Sequence, residues 1–218
     1  MRMDRHRGRR LLVAGLLGAS LFAVLHVPAR ARFVFGGALV NAGFRLQDDI
    51  DDFALSDEHH AHAPGDIWNE LVRQNHWAAS IRKRFPRSSR HPLVAMVVCM
   101  DARLDTAEVA GDTRKFYYVV RTAGSVLGEH EEDMLELAVA NGVRVIVLTT
   151  HTDCAAEKIA RDPARRDAYP HLVAAIDERE RRIEEFLARP AIREKIARGD
   201  LLVKRVDLDT PTDELQPR

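Results

Sequence analysis

The sequence predicts an α/β domain with a mostly parallel sheet flanked by helices and an N-terminal helical extension. Three observations predict it. Three short apolar runs, rich in valine, lie at Leu93–Val98, Phe116–Val120 and Val143–Leu148. Segments with helical spacing separate or follow them. Each run also ends in a polar cluster: Cys99-Met100-Asp101-Ala102-Arg103, then Arg121-Thr122-Ala123-Gly124, then His151-Thr152-Asp153-Cys154. Continuous apolar runs suit strands buried on both faces, as in a parallel sheet. Ligand sites in such sheets gather at the carboxyl ends of the strands, where all three clusters fall.

The first helix of the domain is predicted from Ile67 to about Phe85, with Asp66 as its N-cap. Ile67, Leu71, Asn75, Ala78 and Ile81 recur at helical spacing, and Pro86 ends the element. After the second strand, Glu131 to Ala140 reads as a helix with an acidic first turn, closed by Asn141-Gly142. A long Arg- and Glu-rich helix runs from His171 to Leu187, Pro190 marks a break, and a shorter helix covers Ala191 to Ala197. Leu201 to Leu208 alternates apolar and charged residues and reads as a last, more exposed strand.

The segment ahead of the domain has a different character. Residues 1–10 are strongly basic, Leu11–Val27 carries no charge over 17 residues, and Pro28-Ala29-Arg30-Ala31 offers small residues in an A-x-A arrangement. This is the pattern of an export signal, and Arg9-Arg10 resembles a twin-arginine signal. Its length also nears that of a membrane span, so an uncleaved anchor through 11–27 competes. A mis-assigned start would leave the protein cytoplasmic. The expected organisation is a signal or anchor over 1–31, a linker or extension over 32–65, and the domain over 66–218. The expected location is therefore periplasmic or otherwise extracytoplasmic. Within the linker, Glu58-His59-His60-Ala61-His62 reads first as a solvated stretch and second as a metal or proton-transfer group.

Among the 218 residues, acids and bases balance at 33 each, so no general field draws the chain to nucleic acid. Arginines are dispersed and only 6% of residues are aromatic, which argues against a nucleic-acid surface.

The two cysteines carry the chemistry. Cys99 and Cys154 with His151 supply two soft sulfurs and an imidazole, a common zinc set with a fourth position left open. A disulfide is the alternative, but it gives no reason for His151, Asp101 and Arg103 as neighbours, so zinc is favoured. Asp101 offers either a fourth ligand or a carboxylate beside the metal, and Arg103 is spaced to pair with it in bidentate fashion. That pairing would free the position for a water whose pKa zinc lowers to about 7, giving hydroxide at neutral pH. Asp153 reads as a loop-shaping or helix-capping residue, Asp105 and Glu108 as surface acids, and His130 as a loop histidine. Gly124 and Gly128 read as turn positions.

Taken in order and with their intervals, Cys99–Leu104, Arg121–Gly124 and His151–Cys154 resemble the beta-class carbonic anhydrases over roughly residues 67–215. The resemblance implies Zn²⁺ on Cys99, His151 and Cys154, with Asp101 and Arg103 as a catalytic dyad. It implies reversible hydration of CO₂ to bicarbonate and a proton, by a homodimer or a higher homo-oligomer. A non-catalytic zinc-binding member of the fold and a COS or CS₂ hydrolase are the alternatives. The chain departs from the family's common pattern at Thr150 and Ala155, where glycines are usual, and at Thr122, where asparagine is usual. The stretch Gly128–Asp133 is unusually acidic for the start of that helix. His130 and the His59–His62 group are the histidines open to a proton-shuttle role.

Overall fold

The computed structural model describes residues 28–48, 63–85, 91–111 and 117–217. The basic leader, Leu11–Val27, His59–His62 and Phe116 lie outside them. The chain separates into two compact units, Met1–Pro86 and Arg87–Arg218.

The first unit contains α1 (Ala29–Asp48) and α2 (Pro64–Arg84). Residues 32–48, read from the sequence as part of a linker, are thus helical. The glycines and the all-round apolar character of Phe33–Phe44 hid the period that marks an amphipathic helix. Helix α2 starts earlier than expected, with Ala63 as N-cap and Pro64 at the first helical position, so Asp66 belongs to the first turn instead. Proline suits that position because its fixed φ is already helical and its missing N–H would have had no partner. Arg73 stacks its guanidinium over Trp77 at 5.2 Å and pairs with the buried Glu70. No helix among the described residues is long and apolar enough to cross a membrane.

The second unit is a five-stranded sheet in the order β2-β1-β3-β4-β5. Its strands are β1 (Val94–Cys99), β2 (Tyr117–Thr122), β3 (Val145–His151), β4 (Leu202–Asp209) and β5 (Glu214–Pro217). The first four are parallel and β5 is antiparallel. Leu202–Asp209 is therefore an interior strand, contrary to its reading as a last, exposed one. Four residues ending in proline gave β5 too little pattern to be recognised. The helices are α3 (Thr106–Ala110), α4 (Glu129–Ala140), α5 (Ala155–Arg161), α6 (Pro170–Ala188) and α7 (Pro190–Ala197). Pro190 does not merely break a helix; it opens α7.

One core cluster joins Ala95, Val97, Ile146 and Leu148 of the sheet to Leu135 and Val139 of α4, Ile183 and Phe186 of α6, and Ile192 of α7. Full burial of a Leu- or Phe-sized side chain contributes about 1.5–3 kcal/mol, so this cluster fixes the helices on the central strands. A second, smaller cluster contains Cys99, Leu104, Cys154, Ala156 and Leu208, with Leu172 and Ile176 of α6 against it.

The strand order places the site. From β1 the chain crosses to β2 on one side, then returns past β1 to β3 on the other. Right-handed crossovers running in opposite directions diverge at this point and leave a crevice at the carboxyl ends of β1 and β3. Cys99 is the last residue of β1 and His151 the last of β3.

Candidate metal centre

Cys99, His151 and Cys154 are all buried, and one potential ligand atom from each lies within 4.8 Å of the others. The two sulfurs are 3.9 Å apart and unbonded. Two thiolates each 2.3 Å from one tetrahedral ion would stand about 3.8 Å apart, so the spacing suits a shared metal. The imidazole supplies a second test. Its Nδ1 is 3.0 Å from the Thr152 carbonyl and 3.1 Å from Thr210 Oγ1. Donation from Nδ1 to that carbonyl leaves the lone pair on Nε2, and Nε2 is buried with no hydrogen-bond partner. A buried acceptor without a partner beside two thiols fits a metal ligand.

Backbone donors solvate the sulfurs. The Gly124 N–H points at Cys99 Sγ, 3.3 Å away. The Cys99 thiol is pulled well below its ordinary value, first by its hydrogen bond with Cys154 and then by backbone N–H groups of Asp101 and Gly124, against the opposing effect of burial. Cys154 moves the other way because it shares that hydrogen bond and is also buried. Cys154 is the N-cap of α5; its sulfur makes no capping hydrogen bond, and the backbone N–H groups of Glu157 and Ala156 in the first turn oppose the rise of its pKa.

Gly124 is required twice over. Its φ is +63°, in the left-handed region. A Cβ there would stand 2.3 Å from Ile176 Cδ1 and 3.5 Å from Ala156 Cβ. Gly128 differs from its sequence reading as a turn glycine, since its φ of −101° is open to any residue. A Cβ would instead meet Glu131 Oε2 at 2.7 Å, the oxygen that accepts from the Gly128 N–H at the start of α4. Arg121 lies at the end of β2 and donates to the carbonyl of Leu104, tying β2 to the loop after Cys99.

Asp101 is not among the converging ligand atoms. Its carboxylate is held by Arg103, with Nε 2.9 Å from Oδ1, NH2 2.8 Å from Oδ2, and the backbone N–H of Arg103 3.0 Å from Oδ1. The fork holds the Asp101 carboxyl well below the usual carboxylate range. Arg103 reaches across to the third cluster as well. Its NH1 is 3.0 Å from Asp153 Oδ2, and its NH2 is 3.1 Å from the Asp153 carbonyl. Asp153 has a φ of +64° and pairs with Lys158 on α5, which with Arg103 lowers its pKa. The sequence assigned Asp153 only a loop or capping role, and its tie to Arg103 crosses 50 residues that no local pattern reports.

The other residues singled out take ordinary places. Asp105 caps α3, accepting from the Ala107 N–H at 2.7 Å, and so is more than a surface acid. Glu108 is exposed in the first turn of α3. Thr150 is buried and donates to Asp207, Ala155 is exposed, and Thr122 Oγ1 is buried without a partner. His130 is exposed on α4, in an apolar groove of about 320 Å³ shared with Tyr118, Met134 and Leu137. None of the three ligand residues lines that groove.

A family model described as carbonic anhydrase matches residues 94–208, from the start of β1 to Leu208 in β4, and so includes Cys99, Asp101, Arg103, Gly124, His151 and Cys154. The chain belongs to the beta-class carbonic anhydrase family. Beta-carbonic anhydrase 1 of Mycobacterium tuberculosis is 32% identical over 113 residues, covering 44% of this chain and 67% of that protein. The protein of the same name from Mycobacterium bovis matches to the same extent. Among solved structures, a tetrameric beta-carbonic anhydrase from Sordaria macrospora superposes with a TM-score of 0.51 at 22% identity, over 70% of this chain and 96% of that one. The carbonic anhydrase of Streptococcus mutans gives a TM-score of 0.50 at 21% identity, over 72% and 99%. These carbonic anhydrases, which are lyases, share the α/β architecture described above.

Proposed function

We propose that this chain catalyses the reversible hydration of CO₂ to bicarbonate with one Zn²⁺ held by Cys99, His151 and Cys154. The observation that carries this reading is the buried trio, with His151 Nε2 left unpartnered while Asp101 is drawn onto Arg103. Three ligands leave a tetrahedral ion one free position, the mark of a catalytic rather than a structural site. When bound there, zinc supplies a water acidified to a pKa of about 7 and thus a nucleophile near neutral pH.

The chain's own residues do the rest. Asp101 stays ionised and is therefore an acceptor only. It orients the reacting water by accepting a hydrogen from it, and it accepts from the hydroxyl of bicarbonate in the reverse direction. Arg103 keeps that carboxylate off the fourth position. The Gly124 N–H and the α5 N-terminus spread the thiolate charge, and Thr152 with Thr210 hold the imidazole in the tautomer that presents Nε2.

Stopped-flow CO₂ hydration on the full-length protein, with zinc content measured alongside, tests the reading. Chelation should abolish activity. Asp101→Ala should retain zinc and lose activity on the order of 100-fold, the low end for a positioned acid–base group. Zinc bound at one per chain without turnover would favour a non-catalytic member of the fold. Turnover of COS or CS₂ in place of CO₂ would reassign the substrate.

Two broader proposals accompany this one. A homodimer or higher homo-oligomer is in keeping with the tetrameric Sordaria enzyme and with the exposed Tyr118, Val119, Met134 and Leu137. Export, cleaved or anchored through 11–27, rests on the basic leader and the uncharged run that follows it.

A further inference from the structure

We infer that Arg179 is a positioning residue for the metal centre, acting on both thiolate ligands from helix α6. The inference rests on the zinc reading above. A single nitrogen, NH1, lies 3.1 Å from the Gly124 carbonyl and 2.7 Å from Glu157 Oε1. Gly124 is the residue whose N–H points at Cys99 Sγ, and Glu157 lies in the first turn of α5, the helix that Cys154 caps. Arg179 therefore grips the residue that donates to Cys99 and the first turn of the helix that Cys154 caps, without touching either cysteine.

The setting makes the contact more than a surface ion pair. The side chain of Arg179 is 12% exposed and that of Glu157 is 14% exposed. Removing one partner of a buried pair leaves an uncompensated charge, so the remaining group must move or draw in water. Glu157 also accepts from Arg161 one turn along α5, which leaves Arg179 as its only hydrogen-bonded link to α6 among the described contacts. One turn before Arg179, Ile176 packs against Gly124 so closely that a Cβ at Gly124 would have to displace its Cδ1. Helix α6 thus meets the centre with an apolar contact and a charged one, side by side. The left-handed turn at Gly124 is free to relax once its carbonyl loses its donor, and its N–H would then swing away from Cys99.

Groups that orient metal ligands from behind typically contribute about 10- to 100-fold to metal affinity when removed. The test measures zinc affinity by chelator competition, and the thiolate-to-metal absorption of the Co²⁺-substituted protein, on full-length chain. Arg179→Met should weaken zinc binding by about 10- to 100-fold and shift the absorption. Arg179→Lys, which can still place one positive nitrogen between the two acceptors, should recover most of both. Ile183→Val, a buried change one helical turn beyond Arg179, should lower the melting temperature while leaving zinc affinity and spectrum unchanged. If Arg179→Met gives no soluble protein, Glu157→Ala carries the same test and should weaken zinc in the same direction.

Wild-type protein that binds no zinc would overturn both this inference and the function above. Wild-type binding with Arg179→Met, or its Glu157→Ala substitute, unchanged within twofold and spectrally identical would overturn the inference alone. It would equally fall if Arg179→Lys behaved like Arg179→Met, or if Ile183→Val weakened zinc as much.

Discussion

The centre has two halves built on different physics. The thiol–imidazole half is buried, with Cys99, Cys154 and His151 all under 10% exposed. The carboxylate–guanidinium half runs along the surface, where the side chains of Arg103, Asp153 and Lys158 are 49%, 52% and 62% exposed. Asp101 sits at the junction, its side chain 11% exposed. The buried half is held by a hydrogen bond from the Gly124 backbone and by packing against α6. The exposed half is held by ion pairs that water and salt weaken. Fixed donor atoms with an adjustable row of charges beside them would suit the proposed zinc site, which would have to keep its ion while small reactants and products come and go.

The largest effect should come from the buried half. His151→Ala removes one of the three proposed ligands and leaves two thiols 3.9 Å apart. Zinc affinity should fall on the order of 100- to 1000-fold, about one ligand's share of the binding free energy of a zinc site. Isothermal titration against a competing chelator measures it. A variant that kept near-normal affinity would show that the two sulfurs suffice, and would remove the distinction between the halves.

Gly124→Ala probes the packing that holds the buried half. The new Cβ is forced into a left-handed backbone at φ +63° and against Ile176. Left-handed strain and overpacking together should cost about 2–4 kcal/mol of stability, read from urea unfolding. Pairing it with Ile176→Ala should recover the overpacking share but not the backbone share. Full recovery in the double variant would mean that the steric contact alone demands glycine.

The contrast between the halves also describes what the sequence could and could not reveal. Strand ends carrying Cys99, Arg121 and His151 were legible, because apolar runs stop where polar clusters begin and because parallel sheets place their sites there. Helices α4, α6 and α7 were legible within a few residues from their apolar spacing. What stayed hidden was either very short or paired over long distances. Helix α3 has five residues and β5 four, too few to show a period. Thr210 supports His151 from 59 residues away, and Arg179 reaches Gly124 across 55. Nothing local in Asp209-Thr210 or in the run Glu178-Arg179-Glu180-Arg181 distinguishes those residues from ordinary loop and surface polar groups. The buried half was read through its ligands and missed through its supports.

The smallest effect should come from the exposed half. Asp153→Asn removes one carboxylate from Arg103 and Lys158 but leaves the Asp153 backbone carbonyl, which accepts from Arg103 NH2 at 3.1 Å, in place at residue 153. Asn also tolerates the left-handed conformation that residue 153 adopts, so the loop between His151 and Cys154 should survive. CO₂ hydration should therefore fall by no more than about fivefold, the range that exposed ion pairs span. The wild-type advantage should shrink further as ionic strength rises from 0.01 to about 1 M, because the screening length falls to about 3 Å. Zinc content should not change. A loss as large as that of Asp101→Ala, insensitive to salt, would mean that Asp153 works as part of the Asp101–Arg103 pair rather than as its outer tether. The boundary between the two halves would then have to be redrawn to place both aspartates on the catalytic side.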